Sequence, residues 1–253
     1  MLKIILIAAA LIGTLGLPLH AQGTQADAEK YAAQATQYYQ QGNYAKALEY
    51  HNKALVIRLN VLGENHPDTA TSYNNIGAVY DSQSNYAQAL EFYNKALAVF
   101  LKVLGENHPS TATSYNNIGM VYGKQGNYAK ALEFFNKALA IDLKVKGENH
   151  PDTAASHYNI GLVYGMQGNY AKALEFFNKA LEIRLKVLGE NHPDIVASHC
   201  GIAGTLYRSG KKTEARDHLR KAAAIARTTL GPDHPTTKQI SAVLQSVENE
   251  LSK

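Results

Sequence analysis

A five-residue phrase returns in strict register along this chain of 253 residues. Gly63-Glu64-Asn65-His66-Pro67 recurs at 105–109, 147–151 and 189–193, a constant step of 42, and a degenerate copy, Gly231-Pro232-Asp233-His234-Pro235, falls one step later. A fixed period of this size builds stacked supersecondary units, each burying its apolar face against its neighbours rather than in one central core. The chain is thereby restricted to a repeat architecture. The search for function moves from a catalytic pocket to an extended surface that holds other molecules.

Between copies of the phrase the apolar pattern has the period of a helix. Tyr73, Ile76, Gly77 and Tyr80 stand at i, i+3, i+4 and i+7, one stripe of an α-helix. Tyr86, Ala89, Leu90, Tyr93, Ala96 and Leu97 continue that period on a second helix, and the short link makes the two antiparallel neighbours. Gly77 and Ala89 let the axes approach, while Tyr73, Tyr80 and Tyr93 fill the space between layers. The punctuation agrees. Gly42, Gly126, Gly168 and Gly210 stand where the first helix must end. Asn43, Asn85, Asn127 and Asn169 follow and suit the N-cap of the second. Ser84 takes the glycine's place in one unit, at a cost of about 1 kcal/mol if that residue is left-handed. In the phrase itself the glycine caps the second helix. The proline suits the first turn of the next helix, where a missing amide costs nothing.

These residues resemble the tetratricopeptide repeat (TPR). Its pattern of an aromatic, an aliphatic–small pair, a tyrosine, then alanine, aromatic and alanine reads here as Tyr73, Ile76, Gly77, Tyr80, Ala89, Tyr93 and Ala96. It reads again as Tyr115, Ile118, Gly119, Tyr122, Ala131, Phe135 and Ala138. The next unit keeps Ile160, Gly161, Tyr164, Ala173, Phe177 and Ala180 with His157 in the first place; the last, around His199, Ile202 and Leu206, is weaker. The 42-residue period and the linker phrase resemble the kinesin-light-chain type of the repeat. The resemblance implies an all-α, right-handed superhelical solenoid of antiparallel helix pairs. Five repeats are expected at about 27–66, 67–108, 109–150, 151–192 and 193–234. Residues 235–253 follow as a capping helix with an apolar stripe of Ile240, Val243, Leu244, Val247 and Leu251.

The N-terminus reads differently. A basic start, an apolar run from Ile4 to Leu17 and the sequence Pro18-Leu19-His20-Ala21 form the pattern of a secretory signal peptide, with cleavage after Ala21 and a linker at 22–26. A retained anchor is the rival, although the run is shorter than the roughly 20 residues a spanning helix needs. The expectation is an exported protein, periplasmic or secreted, of bacterial origin, with no membrane span after cleavage. The single cysteine, Cys200, excludes an intrachain disulfide. The net charge of +4 is small and evenly spread, which argues against nucleic acid as a partner.

The TPR resemblance implies that an extended peptide or partner protein binds the face lined by the first helix of each repeat. Positions 71, 74, 75, 78 and 82, and their counterparts one period apart, share about 100° of helix arc. The candidate peptide-binding residues on this face are Asn74, Asn75, Asn116, Asn117, Met120, Lys124, Tyr158, Asn159, Leu162, Met166 and Arg208. Asn75, Asn117 and Asn159 recur at one place, and in several relatives an asparagine there bonds a peptide backbone. Packing between helices is the alternative for them. Met120, Leu162 and Met166 add an apolar patch edged by Lys124 and Arg208, which favours an acidic–hydrophobic peptide.

Other constellations point away from chemistry. His66, His108, His150, His192 and His234 lie one per linker, whereas a metal needs several ligands around one point, so turn chemistry is expected and no metal. His199-Cys200 are helix neighbours that diverge, with no orienting acid. Glu49/Lys53, Glu91/Lys95, Glu133/Lys137, Glu175/Lys179 and Asp217/Lys221 are i, i+4 pairs of a solvated face. No catalytic residue and no cofactor is expected. The leading reading is a non-catalytic interaction scaffold. The second is a structural protein that self-assembles into a homo-oligomer in the envelope.

Overall fold

The computed structural model describes residues 23–252, so the segment at 1–21 read as an export signal lies outside the described residues. Eleven helices follow one another, with no strand among the described residues. They are α1 (Gln25–Gln40), α2 (Tyr44–Val61), α3 (Pro67–Ser82), α4 (Tyr86–Val103), α5 (Pro109–Lys124), α6 (Tyr128–Lys146), α7 (Pro151–Met166), α8 (Tyr170–Leu188), α9 (Pro193–Arg208), α10 (Lys212–Thr229) and α11 (Pro235–Leu251). The chain forms two compact units, one ending at Val121 and one starting at Tyr122, with the division inside α5. In the first unit α1 pairs with α2, α3 with α4, and α3 rests on α2. In the second α7 pairs with α8 and α9 with α10, while α7 rests on α6, α9 on α8 and α11 on α10.

The linker phrase folds as its chemistry dictates. Gly63 has φ 84° and Gly147 φ 85°, left-handed values that end the preceding helix. The proline is the first residue of the next helix, and the histidine before it is the N-cap. The ring Nδ1 of His66 accepts the Asp68 amide at 3.1 Å, and His108, His150, His192 and His234 repeat the bond at 3.1 to 3.2 Å. Each linker histidine thus satisfies one of the orphan donors of a helix start, using an unprotonated ring nitrogen. The Thr69 hydroxyl donates back to the Gly63 carbonyl at 2.8 Å, as Thr111 and Thr153 do to Gly105 and Gly147.

The inner turns also follow the reading. Asn43, Asn85, Asn127 and Asn169 accept the backbone amide three residues on. Lys211, in the same place of the fifth repeat, makes no side-chain cap. Ser84 has φ 59°, the single non-glycine residue with positive φ among those described, so the strain expected of it is present. Close approach is visible at Gly77, where an added Cβ would lie 2.8 Å from the Tyr93 ring, and at Gly161, where it would meet Phe177 at 2.9 Å. Larger side chains there would drive apart the two helices of a pair.

Two features lay beyond the sequence pattern. The residue at 58, 142 or 184 is charged and buried, and each finds a serine 14 positions later. Arg58 donates to Ser72 at 2.8 Å and Arg184 to Ser198 at 2.7 Å, whereas Asp142 accepts from Ser156 at 2.9 Å. One hydroxyl serves either sign because it both donates and accepts. The second feature is a correction. Four of the five expected acid–lysine pairs, the Glu–Lys ones, form at 2.6 to 2.7 Å. The fifth does not: Asp217 takes the guanidinium of its neighbour Arg216 at 2.7 Å. In the other repeats the lysine also sits over a ring at 50, 92, 134 or 176, between 4.5 and 5.2 Å from its centroid. His218 occupies that place in the fifth repeat, so the second attraction that holds the lysine is lost.

Candidate functional site

The first helices carry the candidate residues, and each unit holds a separate set. In the first unit Asn74 and Asn75 project from α3, and Asn116, Asn117 and Met120 from α5. All four asparagines are half-buried and Met120 is exposed. The Asn117 amide donates to the Asn74 side-chain oxygen at 2.9 Å and so ties α5 to α3. The Asn75 amide has no hydrogen bond to a described residue, and the Asn116 oxygen is buried without one.

In the second unit Lys124 ends α5, Tyr158, Asn159, Leu162 and Met166 lie on α7, and Arg208 ends α9. Asn159 is half-buried and unbonded, in the same repeat position as Asn75. Lys124, Met166 and Arg208 are exposed. Tyr158 and Leu162 turn inward. The Tyr158 ring packs on Phe177 at 5.1 Å with the Arg184 guanidinium 4.9 Å above it, and Leu162 joins the cluster of Phe177 and Ile202. Burial pushes the Tyr158 hydroxyl above its ordinary pKa of 10. Each unit therefore offers one unpaired amide, Asn75 in the first and Asn159 in the second, and in the second unit Tyr158 packs inward beneath α7.

The fifth repeat adds what the sequence list missed. Between α9 and α11 lies an open groove of about 800 Å³, within the range of ligand sites. Ala197, Cys200 and Gly204 form one wall, and Ile240, Val243 and Val247 the other. A Cβ added at Gly204 would meet nothing within 4 Å. One repeat earlier the places of Cys200 and Gly204 hold Tyr158 and Leu162, and that loss of bulk was the readable signal. Arg208 is the one charged residue among those lining the groove, and its guanidinium has no partner among the described residues. Tyr207, also in the lining, donates its hydroxyl to the Glu250 carboxylate at 3.0 Å, and Lys212 donates to the same carboxylate at 2.9 Å. Val243, expected in the buried stripe of the capping helix, is exposed in this groove, whereas Ile240 and Val247 are buried.

His199 and Cys200 diverge as helix neighbours should. The His199 ring faces His218 on α10, Nδ1 to Nδ1 at 3.0 Å, and burial followed by the charge of His218 lowers its pKa to about 4. Burial pushes the Cys200 thiol above its ordinary range, which keeps it protonated and weakly nucleophilic. No group of three or more metal-ligating side chains occurs among the described residues, nor does a helix long and apolar enough to cross a membrane.

A tetratricopeptide-repeat family model matches residues 27–102, 82–144, 110–186 and 152–228. The chain belongs to the tetratricopeptide repeat family, whose fold is generally a non-catalytic interaction scaffold. It is similar to the solved structure of BtubC (BKLC) from P. vanneervenii, with 24% identity, a TM-score of 0.71 and coverage of 83% of this chain and 84% of that one. It is also similar to a putative kinesin light chain from Podosopora anserina with nearly identical TPR-like repeats, at 25% identity, a TM-score of 0.68 and coverage of 80% and 95%. The Rap conjugation gene regulator of the plasmid pLS20, solved in complex with the Phr* peptide, shares the fold at 19% identity and a TM-score of 0.71, covering 87% of this chain and 58% of that one. No curated protein sequence matches the chain.

Proposed function

We propose that this protein is an exported, non-catalytic scaffold that binds an extended peptide or a segment of a partner protein on the face of its first helices. The observation that carries the reading is the pair of unpaired, half-buried amides at Asn75 and Asn159. A side-chain amide there can accept from and donate to a peptide backbone, each net bond contributing roughly 1 kcal/mol without reading sequence. The TPR fold accommodates a peptide in the Rap complex, which agrees with this use of it. Export rests on the residues at 1–21 and belongs to the proposal.

The test is a cross-linked pull-down with the chain from Gln22 onward, run beside a triple Asn75→Ala, Asn117→Ala, Asn159→Ala variant of unchanged helicity. Loss of a captured protein in the variant is the expected result. A protein retained by both would move the interface off this face, and recovery of the chain alone would favour self-assembly. Fractionation that left the unprocessed chain in the cytoplasm would contradict export.

A further inference from the structure

The α9–α11 groove has features that the asparagine face does not share. Its walls are apolar and its bulk is missing: Cys200 and Gly204 stand where α7 carries Tyr158 and Leu162. Space of about 800 Å³ is left between α9 and α11, with Val243 exposed on its far side. An apolar concavity of this size leaves its lining without contact partners on one side, and exposed apolar surface of this kind marks interaction sites. At its rim stands Arg208, the single charge of the lining, with no carboxylate partner among the described residues. The neighbouring cations are already engaged: Lys212 with Glu250, Arg216 with Asp217 and Arg220 with Glu248. Glu250, Asp217 and Glu248, the acids of those pairs, are thereby held by other bases.

We propose that this groove is the anchor site of the bound peptide, taking a bulky apolar side chain between α9 and α11 while an adjacent Asp or Glu of that peptide pairs with Arg208. The proposal rests on the peptide-binding reading above and adds to it a ligand chemistry and a place. An Arg–carboxylate pair at the mouth of an apolar cleft fixes orientation, and the apolar anchor supplies most of the affinity. The amides of Asn75 and Asn159 give no such preference between side chains.

The experiment pans a randomised linear peptide library on the full chain from Gln22 onward, on Gly204→Leu and on Arg208→Glu. Gly204→Leu restores the leucine of α7 in open space and fills the cleft without straining the helix. The native chain should enrich peptides with a large apolar residue beside Asp or Glu. Gly204→Leu should bind the selected peptides about tenfold more weakly, and Arg208→Glu should switch the flanking preference from acidic to basic residues. Cys200, the single thiol of the chain, reports occupancy from inside the groove, so a selected peptide should slow its alkylation by N-ethylmaleimide.

A consensus unchanged in both variants, with Cys200 alkylated at the free rate, would overturn the anchor site. If those binders were lost in the triple asparagine variant, the peptide-binding reading would stand while the anchor fell. Enrichment of no peptide would overturn both. Protection of Cys200 in the chain alone as its concentration rises would assign the groove to a second copy and overturn the proposal.

Discussion

The fourth and fifth repeats share one backbone plan and differ in what fills it. In α7 and α8 the ring of Phe177 lies under Gly161 and against Tyr158, and Leu162 closes the cluster. In α9 and α10 the corresponding places hold Leu219, Ala203, Cys200 and Gly204, and the result is a groove beside α11. The cap differs too: Asn169 bonds the start of α8, while Lys211 leaves the start of α10 without a side-chain bond. Backbone geometry survives these exchanges because it is set by glycines, prolines and caps at the turns. Side-chain volume on the inner faces then decides whether a repeat is filled or open. Near-identical repeats can thus keep one backbone while one of them is left open where its neighbour is filled.

The sharpest way to break this comparison is to empty the filled repeat. Phe177→Ala should cost about 4 kcal/mol, because a fully buried ring leaves a cavity between α7, α8 and α9. Leu219→Ala should cost about 2 kcal/mol, since its side chain already borders open space. Denaturant titrations of both variants check the order, and equal losses would mean that the fifth repeat is as tightly filled as the fourth.

Acid comes next in size. Burial holds His51 and His199 at about 4, below the ordinary 6.5, and His157 and His218 are lowered for the same reason. The unfolded chain binds protons first as the pH falls. Stability is therefore full above 6.5 and is lost progressively toward 4. The unfolding midpoint should drop by about 5 °C between about pH 7.5 and about pH 5. His218→Phe installs the ring that the other repeats carry and separates His199 from a second titrating group. It should reduce that drop, and an unchanged thermal scan would remove the histidine pair from the account.

The turns give the smallest effects. Lys211→Asn should stabilise the chain by about 1 kcal/mol by supplying the missing cap. Ser84→Gly, which relieves a left-handed serine in the second repeat, should add about 0.5–1 kcal/mol. Calorimetry of the two variants that showed no gain would mean those turns are frayed and carry no strain.

Helix positions and turn glycines were legible because both rest on local chemistry: a 3.6-residue period, a left-handed φ, a side chain that caps its own helix. Ser84 is the clearest case, since a missing glycine in a periodic pattern predicts one strained residue and one is present. The linker histidines were read as turn residues, but spacing does not show that the Nδ1 atom is the acceptor. The column of Arg58, Asp142 and Arg184 was not legible, because its serine partners lie across a turn and the residues differ in sign. The groove was legible only as the loss of bulk at Cys200 and Gly204, because its shape depends on how α11 rests on α10 rather than on any one segment. The i, i+4 rule failed at Asp217 because a closer guanidinium competes and the supporting ring is absent.

The measurement that reaches the central claim most directly is hydrogen–deuterium exchange of the chain from Gln22 onward, free and bound to a peptide selected on it. Slowed exchange confined to the first helices α3, α5, α7 and α9, together with α11, is the result the account predicts. Slowing confined to the second helices α4, α6, α8 and α10 would place the interface on the opposite face and contradict it.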